Sequence, residues 1–137
     1  MPVSPVMKEL RILILEDDVR RLSWFAEYFS RHQRDVTDHA HTATEWLAQR
    51  EYDLIFLDHD LTVEHYYEAM ADDGLTGYVV AAWLAQNPQK QRAARIIIHS
   101  LNNPGSDRML AVLLQAGRHA AHIPFYDLPS LFPALLS

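Results

Sequence analysis

Residues 53–61 read DLIFLDHDL, a short apolar run that ends in two acids on either side of a histidine. Residues 12–18 repeat this pattern, because ILIL is followed at once by Glu16, Asp17 and Asp18. Short apolar runs with β-branched members, bounded by polar breaks, are typical of buried parallel strands. If both runs are strands of one sheet, their acids meet where the strands end, and a divalent cation or a bound proton must offset the charge. The sequence therefore predicts an acidic, metal-assisted pocket.

The composition is that of one globular domain. The chain has 137 residues, of which 49% are hydrophobic, and it is long enough to bury a sizeable core. A net charge of −6 without a basic cluster argues against extended binding to the nucleic-acid backbone, and the lack of cysteine excludes disulfides and thiolate metal sites. No stretch approaches the roughly 18 apolar residues of a membrane span. We expect a cytoplasmic domain without membrane contact, and the sequence makes no prediction of its oligomeric state.

Strand and helix patterns alternate along the chain. Residues 1–8 are predicted to be a flexible tail, and residues 9–137 a single domain. The predicted strands cover 10–15, 36–40, 54–57, 95–99 and 120–123. The predicted helices cover 19–31, 42–50 with a capping box at 42–45, 77–86, a segment from Ser106 or Asp107 to Gly117, and a short apolar face at 128–135. Five such alternations predict an α/β fold, a three-layer, doubly wound parallel sheet of the (βα)5 type.

Ligands of such folds bind beyond the carboxyl ends of the strands. Three predicted strand ends carry polar side chains, at residues 16–18, 58–60 and 99–100. No GxGxxG or GxxxxGK[ST] motif follows any strand, which argues against a dinucleotide-binding fold or a P-loop enzyme. The sequence therefore points to one polar site at this edge of the sheet.

The region from residue 10 to about residue 136 resembles a response-regulator receiver domain of the chemotaxis-regulator type. The segments LDHDL, TGYVVAAWLAQNP, IIIHSLNNPG and IPF are closest to the receiver-like proteins grouped as cyclic-phosphate-processing receiver domains. The resemblance implies the flavodoxin-like strand order 2-1-3-4-5 and a bound Mg²⁺ or Mn²⁺. The site residues that it implies are Asp58, His59, His99 and Ser100 for catalysis and Glu16, Asp17, Asp58 and Asp60 for the metal, with Asp60 contributing its backbone carbonyl.

The chain departs from the receiver pattern in three places. Ile123 stands before Pro124 where a receiver has lysine, and Ala120 stands at the position of the aromatic switch residue. The loop after the third strand, at about residues 62–75, is longer by about ten residues than a receiver of this type requires. This insertion is rich in tyrosine and acid, and it can close over a ligand, pack on a partner or be disordered; the sequence does not choose among these. Without the lysine, a stable phosphoaspartate is harder to maintain.

The candidate residues support more than one chemistry. A carboxylate beside a cation, as Asp58 would be, can attack phosphorus, whereas neutral histidines can act as general acid and base on a phosphate ester. His59 and His99 reach the pocket only if the backbone bends at the strand ends, since neighbouring strand residues face opposite ways. Asp18 is better placed to cap the following helix. Residues 58–62 also match the DxDxT element of haloacid-dehalogenase phosphohydrolases, although there the element follows the first strand.

Three functions remain open at this point. The first is a Mg²⁺- or Mn²⁺-dependent phosphoesterase or cyclic phosphodiesterase that acts on a phosphate-bearing small molecule or on an RNA or nucleotide end. The second is a stand-alone receiver that accepts a phosphoryl group on Asp58 from a sensor kinase in a phosphorelay. The third is a pseudo-receiver that binds a partner without catalysis. The histidines and the long loop favour the first, and the missing lysine counts against the second.

Overall fold

The computed structural model describes residues 9–59, 77–101 and 104–130. The predicted flexible tail, Asp60, the insertion at 62–75 and residues 131–135 of the final apolar face lie outside these ranges.

A five-stranded parallel sheet of order β2-β1-β3-β4-β5 forms the centre of the fold. Along the chain, the elements are β1 Arg11–Leu15, α1 Val19–Tyr28, β2 Gln33–Thr37, α2 Ala40–Gln49, β3 Leu54–Leu57, α3 Gly77–Gln86, β4 Arg95–Ile98, α4 Pro104–Gln115, β5 His119–His122 and a 3₁₀ helix at Phe125–Asp127. The predicted α/β class, the parallel sheet and the flavodoxin-like strand order are confirmed. Within the described residues, no helix is long and apolar enough to cross a membrane.

The apolar residues of the central strands pack on both faces of the sheet. Leu13 and Leu15 of β1 lie in a cluster with residues of α2, α3 and α4, whereas Ile12 and Ile14 pack on the opposite face with Phe25 of α1. These four apolar side chains of β1 are completely buried, and burying each of them contributes about 1.5–3 kcal/mol. This alternation explains why the strands read as unbroken apolar runs, and it gives the three predicted layers.

Two predicted boundaries near β2 are wrong. The strand covers Gln33–Thr37 and not residues 36–40, because its backbone pairs in register with the whole of β1 despite its polar side chains. The predicted capping box does not form, since α2 begins at Ala40 after His39, and His39 makes no side-chain cap. The earlier start of α2 places Ala40 and Ala43 in the core. Just before the helix, the Thr37 hydroxyl accepts a hydrogen bond from the His39 amide.

Two further helix limits differ from the prediction. Helix α1 ends at Tyr28 rather than residue 31, and Phe29 closes it as the C-cap with a fully buried side chain. Helix α4 begins at Pro104, so that Ser106 lies inside its first turn and cannot cap it. Gly117 ends this segment as predicted, with φ +77° and with its amide donating to the Leu114 carbonyl.

Candidate functional site

The order of the sheet brings the ends of β1, β3 and β4 side by side. Glu16 directly follows β1, Asp58 directly follows β3, and His99 directly follows β4. One potential ligand atom from each lies within 4.8 Å of the others, and all three side chains are buried. Among the described residues, this is the group of acids and histidines whose geometry could hold a metal ion.

Glu16 is held by hydrogen bonds from both sides. Its Oε2 accepts from the backbone amides of Asp17 and Asp18 at 2.9 and 3.1 Å, and its Oε1 lies 2.8 Å from Nε2 of His99. Burial by itself raises the pKa of Glu16, but the hydrogen bonds outweigh burial and lower the pKa from 4.5 to about 2. Glu16 is therefore an ionised carboxylate with a fixed orientation.

His99 joins the acidic cluster to the aromatic core. Its ring is fully buried and lies edge-on to Phe25 and Phe56, with centroids 5.3 and 6.2 Å away. Burial lowers the pKa of His99, and the hydrogen bond to Glu16 only partly opposes this effect. Because an ionised carboxylate can only accept, the neutral imidazole carries its proton on Nε2. Nδ1 is buried without a hydrogen-bond partner in the part of the chain that the structure describes.

Lowering the pH from neutrality is expected to destabilise the fold in two steps. Since the pKa of His99 is lowered by folding, the unfolded chain takes up a proton below pH 6.5 that the folded chain does not, and stability falls. The stabilising contribution of ionised Glu16 is lost later, as the pH falls from 4.5 towards 2. Replacing His99 with glutamine should flatten the first step in urea unfolding measured across pH. His41→Gln, at an exposed position of α2, is the control, and a first step that persists in His99→Gln contradicts this account.

Asp58 and His59 leave β3 between two glycines of other elements. A Cβ atom on Gly77 would overlap the backbone carbonyl of Asp58, and the Gly77 amide donates to the His59 carbonyl at 3.2 Å. A Cβ atom on Gly105 would overlap the buried imidazole of His59. The chain after β3 is thus fixed between the first turns of α3 and α4, and His59 is buried against α4 beside Asp58.

Ser100 belongs to a hydrogen-bonded group at the end of β4. Its hydroxyl lies 2.6 Å from the Ser106 hydroxyl, which in turn donates to the Leu101 carbonyl at 3.1 Å. Since Ser106 uses its proton on Leu101, Ser100 is the donor to Ser106. His122 donates to the Ser100 carbonyl at 2.7 Å. Ser100 is buried, so a donation to a ligand would require it to leave Ser106.

Asp17, Asp18 and Asp60 stand apart from the buried cluster. Asp18 is exposed and caps α1, because its Oδ1 accepts from the amides of Arg20 and Arg21 at 2.9 and 3.1 Å, as the sequence predicted. Asp17 is half-buried and is not part of the group of three. The carbonyl of Asp60 lies outside the described residues. Metal binding by Asp17 and Asp60 therefore stays a prediction.

Arg21 is a site residue that sequence reasoning missed. Its Nη1 lies 3.5 Å from Oε1 of Glu16 and 3.9 Å from Oδ2 of Asp58. Its guanidinium lies over the ring of Phe125, 5.4 Å from the centroid. An arginine in the first turn of an amphipathic helix is normally exposed, so its residue type alone did not mark it. The available signal was its place three residues after the capping Asp18, close to the end of β1.

The cluster fits a hydrated divalent cation. Both oxygens of Glu16 already accept hydrogen bonds, so Glu16 would hold such an ion through water, and Asp58 at the end of the neighbouring strand would be the second carboxylate of the site. Mg²⁺ commonly keeps several waters and uses one or two carboxylates, and Mn²⁺ accepts the same ligands. Two buried carboxylates facing a single guanidinium leave negative charge for the ion to offset.

The sequence of this chain was compared with known protein families. A family model described as the cyclic-phosphate processing receiver domain matches residues 12–115. No curated protein matches the sequence of this chain.

Solved receiver domains have a similar fold. One from a sensor histidine kinase of Pseudomonas aeruginosa, with a magnesium ion coordinated in its active-site cleft, is 19% identical with a TM-score of 0.67, and the match covers 94% of this chain and 95% of that one. A CheY-like receiver from Methanospirillum hungatei is 17% identical with a TM-score of 0.62 and 94% coverage of each chain. The receiver domain of a Saccharomyces cerevisiae response regulator, crystallised with a histidine phosphotransfer protein, is 17% identical with a TM-score of 0.58, covering 90% of this chain and 86% of that one.

Proposed function

The chain belongs to the family of cyclic-phosphate processing receiver domains, and we propose that it uses Mg²⁺ or Mn²⁺ to process a cyclic phosphate or phosphate ester at the end of an RNA or nucleotide. The observation that carries this proposal is the buried cluster of Glu16, Asp58 and His99 at adjoining strand ends. A buried group of this kind does not stabilise a fold unless something offsets its charge, and a cation that also binds phosphate would do so. The expected cytoplasmic location stays a prediction.

The proposed chemistry assigns a different part to each side chain. When bound, the cation would neutralise charge on the phosphoryl oxygens. In one route, Asp58 attacks phosphorus, the ester oxygen leaves, and water then hydrolyses the acyl phosphate; in the other, Asp58 accepts the proton of a water that attacks phosphorus as the ester oxygen leaves. His99 is a positioning residue, because its Nε2 proton is used to hold Glu16. His59 is the candidate for proton transfer to the leaving oxygen, because it follows Asp58 directly and its imidazole is buried beside the first turn of α4.

A second candidate function is favoured by the placement of Asp58 and Ser100. An acid after β3 and a hydroxyl after β4 also suit a domain that accepts a phosphoryl group on Asp58 from a sensor kinase or a phosphotransfer protein. The two functions share the cation and Asp58, and they differ in whether a phosphoprotein accumulates.

One experiment separates these functions. The protein is incubated with a 2′,3′-cyclic mononucleotide and, separately, with acetyl phosphate, each with Mn²⁺ or Mg²⁺, and the products are followed by phosphorus NMR and intact-protein mass spectrometry. Ring opening supports the proposal. A phosphoprotein from acetyl phosphate without ring opening supports the second candidate. Inertness in both assays contradicts both and leaves a non-catalytic binding domain.

A further inference from the structure

We propose that Arg21 is a phosphate-binding residue of this pocket, and that it contacts the bound phosphate group together with the cation. The inference rests on the proposed function and names the side chain that recognises the phosphate. It starts from the place of Arg21 beside both buried carboxylates, with Nη1 at 3.5 Å from Glu16 and 3.9 Å from Asp58.

The contacts of Arg21 leave donors free for a ligand. Both distances are longer than a well-formed charge-assisted hydrogen bond of about 2.7–2.9 Å. Among the described residues, the carboxylate neighbours of Arg21 all lie at Nη1. A guanidinium has five N–H donors in a planar fork, so donors on its other nitrogens can reach a ligand. The Arg21 side chain is 18% exposed, so it contacts solvent on one side and lies near the buried acids on the other. This placement suits recognition of an anion that enters from solvent.

Two neighbours fix the direction of the side chain. Asp18 accepts the amide of Arg21 and so determines the path of the first turn of α1. The ring of Phe125, which follows β5, lies under the guanidinium at 5.4 Å, a separation within the range of a cation–π contact. Because Phe125 donates its amide to the His99 carbonyl at 2.9 Å, this ring is attached to the cluster itself. Arg21 is therefore oriented before any ligand arrives, which lowers the entropic cost of binding.

The charges in the pocket predict opposite effects on cation and phosphate. Arg21 lies beside two acidic side chains that would hold a divalent cation, and such a cation would draw a phosphate to the same place. Arg21 itself attracts phosphate but repels the cation. Removing its charge should weaken phosphate binding and strengthen cation binding, a pair of changes that loss of folding cannot produce.

The test is the variant Arg21→Met, which keeps the length of the side chain without its charge. Mn²⁺ affinity is measured from the electron paramagnetic resonance of the free ion, and the affinity for inorganic phosphate by calorimetry with saturating Mg²⁺. We expect phosphate to bind about ten- to a hundredfold more weakly, the range for loss of a charge-assisted hydrogen bond, while Mn²⁺ binds a few-fold more tightly. Arg21→Lys should restore part of the phosphate affinity, and Phe125→Leu should reduce it by less than Arg21→Met does.

Arg20→Met is the matched control, because Arg20 is the exposed neighbour in the same helical turn and carries the same charge. It should change neither affinity. The inference is overturned if phosphate affinity is unchanged in Arg21→Met, if both affinities fall together, if Arg20→Met has the same effect, or if the wild-type protein binds no phosphate. Failure of the proposed function has a different signature: wild-type protein that binds Mn²⁺ and phosphate normally but opens no cyclic phosphate.

Discussion

Replacing Asp58 with asparagine is expected to abolish phosphate processing, with a fall in rate of about a thousandfold or more, because the variant loses the reacting carboxylate and offers the cation a neutral amide oxygen in place of a charged one. Mn²⁺ affinity should fall with the activity. The free energy of unfolding should change little, since an asparagine amide can still donate a hydrogen bond to the neighbouring Glu16, as a side chain at this position does when it lowers the pKa of Glu16. The measurements are ring opening of a 2′,3′-cyclic nucleotide, Mn²⁺ titration and urea unfolding.

Asp53→Asn is the matched control for this variant. Asp53 directly precedes β3 as Asp58 directly follows it, and its Oδ2 accepts the amide of Arg11 at the opposite edge of the sheet. An asparagine there retains an accepting oxygen, so activity and Mn²⁺ affinity should match the wild-type values. Full activity in Asp58→Asn, or equal loss in both variants, would show that the chemistry lies elsewhere.

The second large effect is expected from a methyl group added at the start of α3. In Gly77→Ala, the new Cβ overlaps the carbonyl oxygen of Asp58 and lies 2.9 Å from its carbonyl carbon and 3.1 Å from Cε of Met109. Because the nearest atoms belong to the backbone of Asp58 and not to a flexible side chain, the end of β3 must move to make room. We expect a loss of about 3 kcal/mol in the free energy of unfolding, the upper range for overpacking, and at least a tenfold loss of Mn²⁺ affinity.

Gly117→Ala distinguishes this steric effect from the general cost of replacing a glycine. No atom lies within 4 Å of a Cβ built on Gly117, but its φ of +77° is unfavourable for alanine. Its expected cost is about 1–2 kcal/mol from backbone strain, without a change in Mn²⁺ affinity. Unchanged Mn²⁺ affinity in Gly77→Ala would mean that the position of Asp58 does not determine cation binding.

The sequence predicted the elements whose packing leaves a pattern. Strands β1 and β3 are apolar on both faces because helices cover both, and their runs were correctly located. Strand β2, QRDVT, has no such pattern, since the pairing of its backbone with β1 determines where it lies. The start of α2 was misplaced for a similar reason: burial of Ala40 and Ala43 outweighed the local capping signal.

Part of the site followed from topology and part required coordinates. The acids after β1 and β3 and the histidine after β4 were identified because parallel strands present their carboxyl ends at one edge. The bond between Glu16 and His99 spans 83 residues, and no local pattern encodes it. The alternation of β4 continues past the end of the strand: His99 faces Glu16 and the α1 side as Ile97 does, and Ser100 faces α4 as Ile98 does, so no bend of the backbone is required. Arg21 was missed because its role depends on Phe125, a residue from the far end of the chain.

The contacts of Ile123 and Phe125 show what occupies the place of the lysine that this chain lacks. Ile123, at the position where a receiver has lysine, packs against the apolar cluster on the α1 side of the sheet. Two residues later, the ring of Phe125 lies against the guanidinium of Arg21. The segment after β5 therefore supports a positively charged side chain that belongs to α1. The positive side chain beside the two acids thus comes from α1, and not from the segment after β5 where a receiver has its lysine.

The most direct test of the central claim is an anomalous difference map from a crystal of the protein soaked in Mn²⁺. We expect a peak beside the Asp58 carboxylate, with Glu16 within reach through one water, and no such peak in crystals of Asp58→Asn. A manganese peak at some other position of the wild-type protein, or none at all in this cluster, would contradict it.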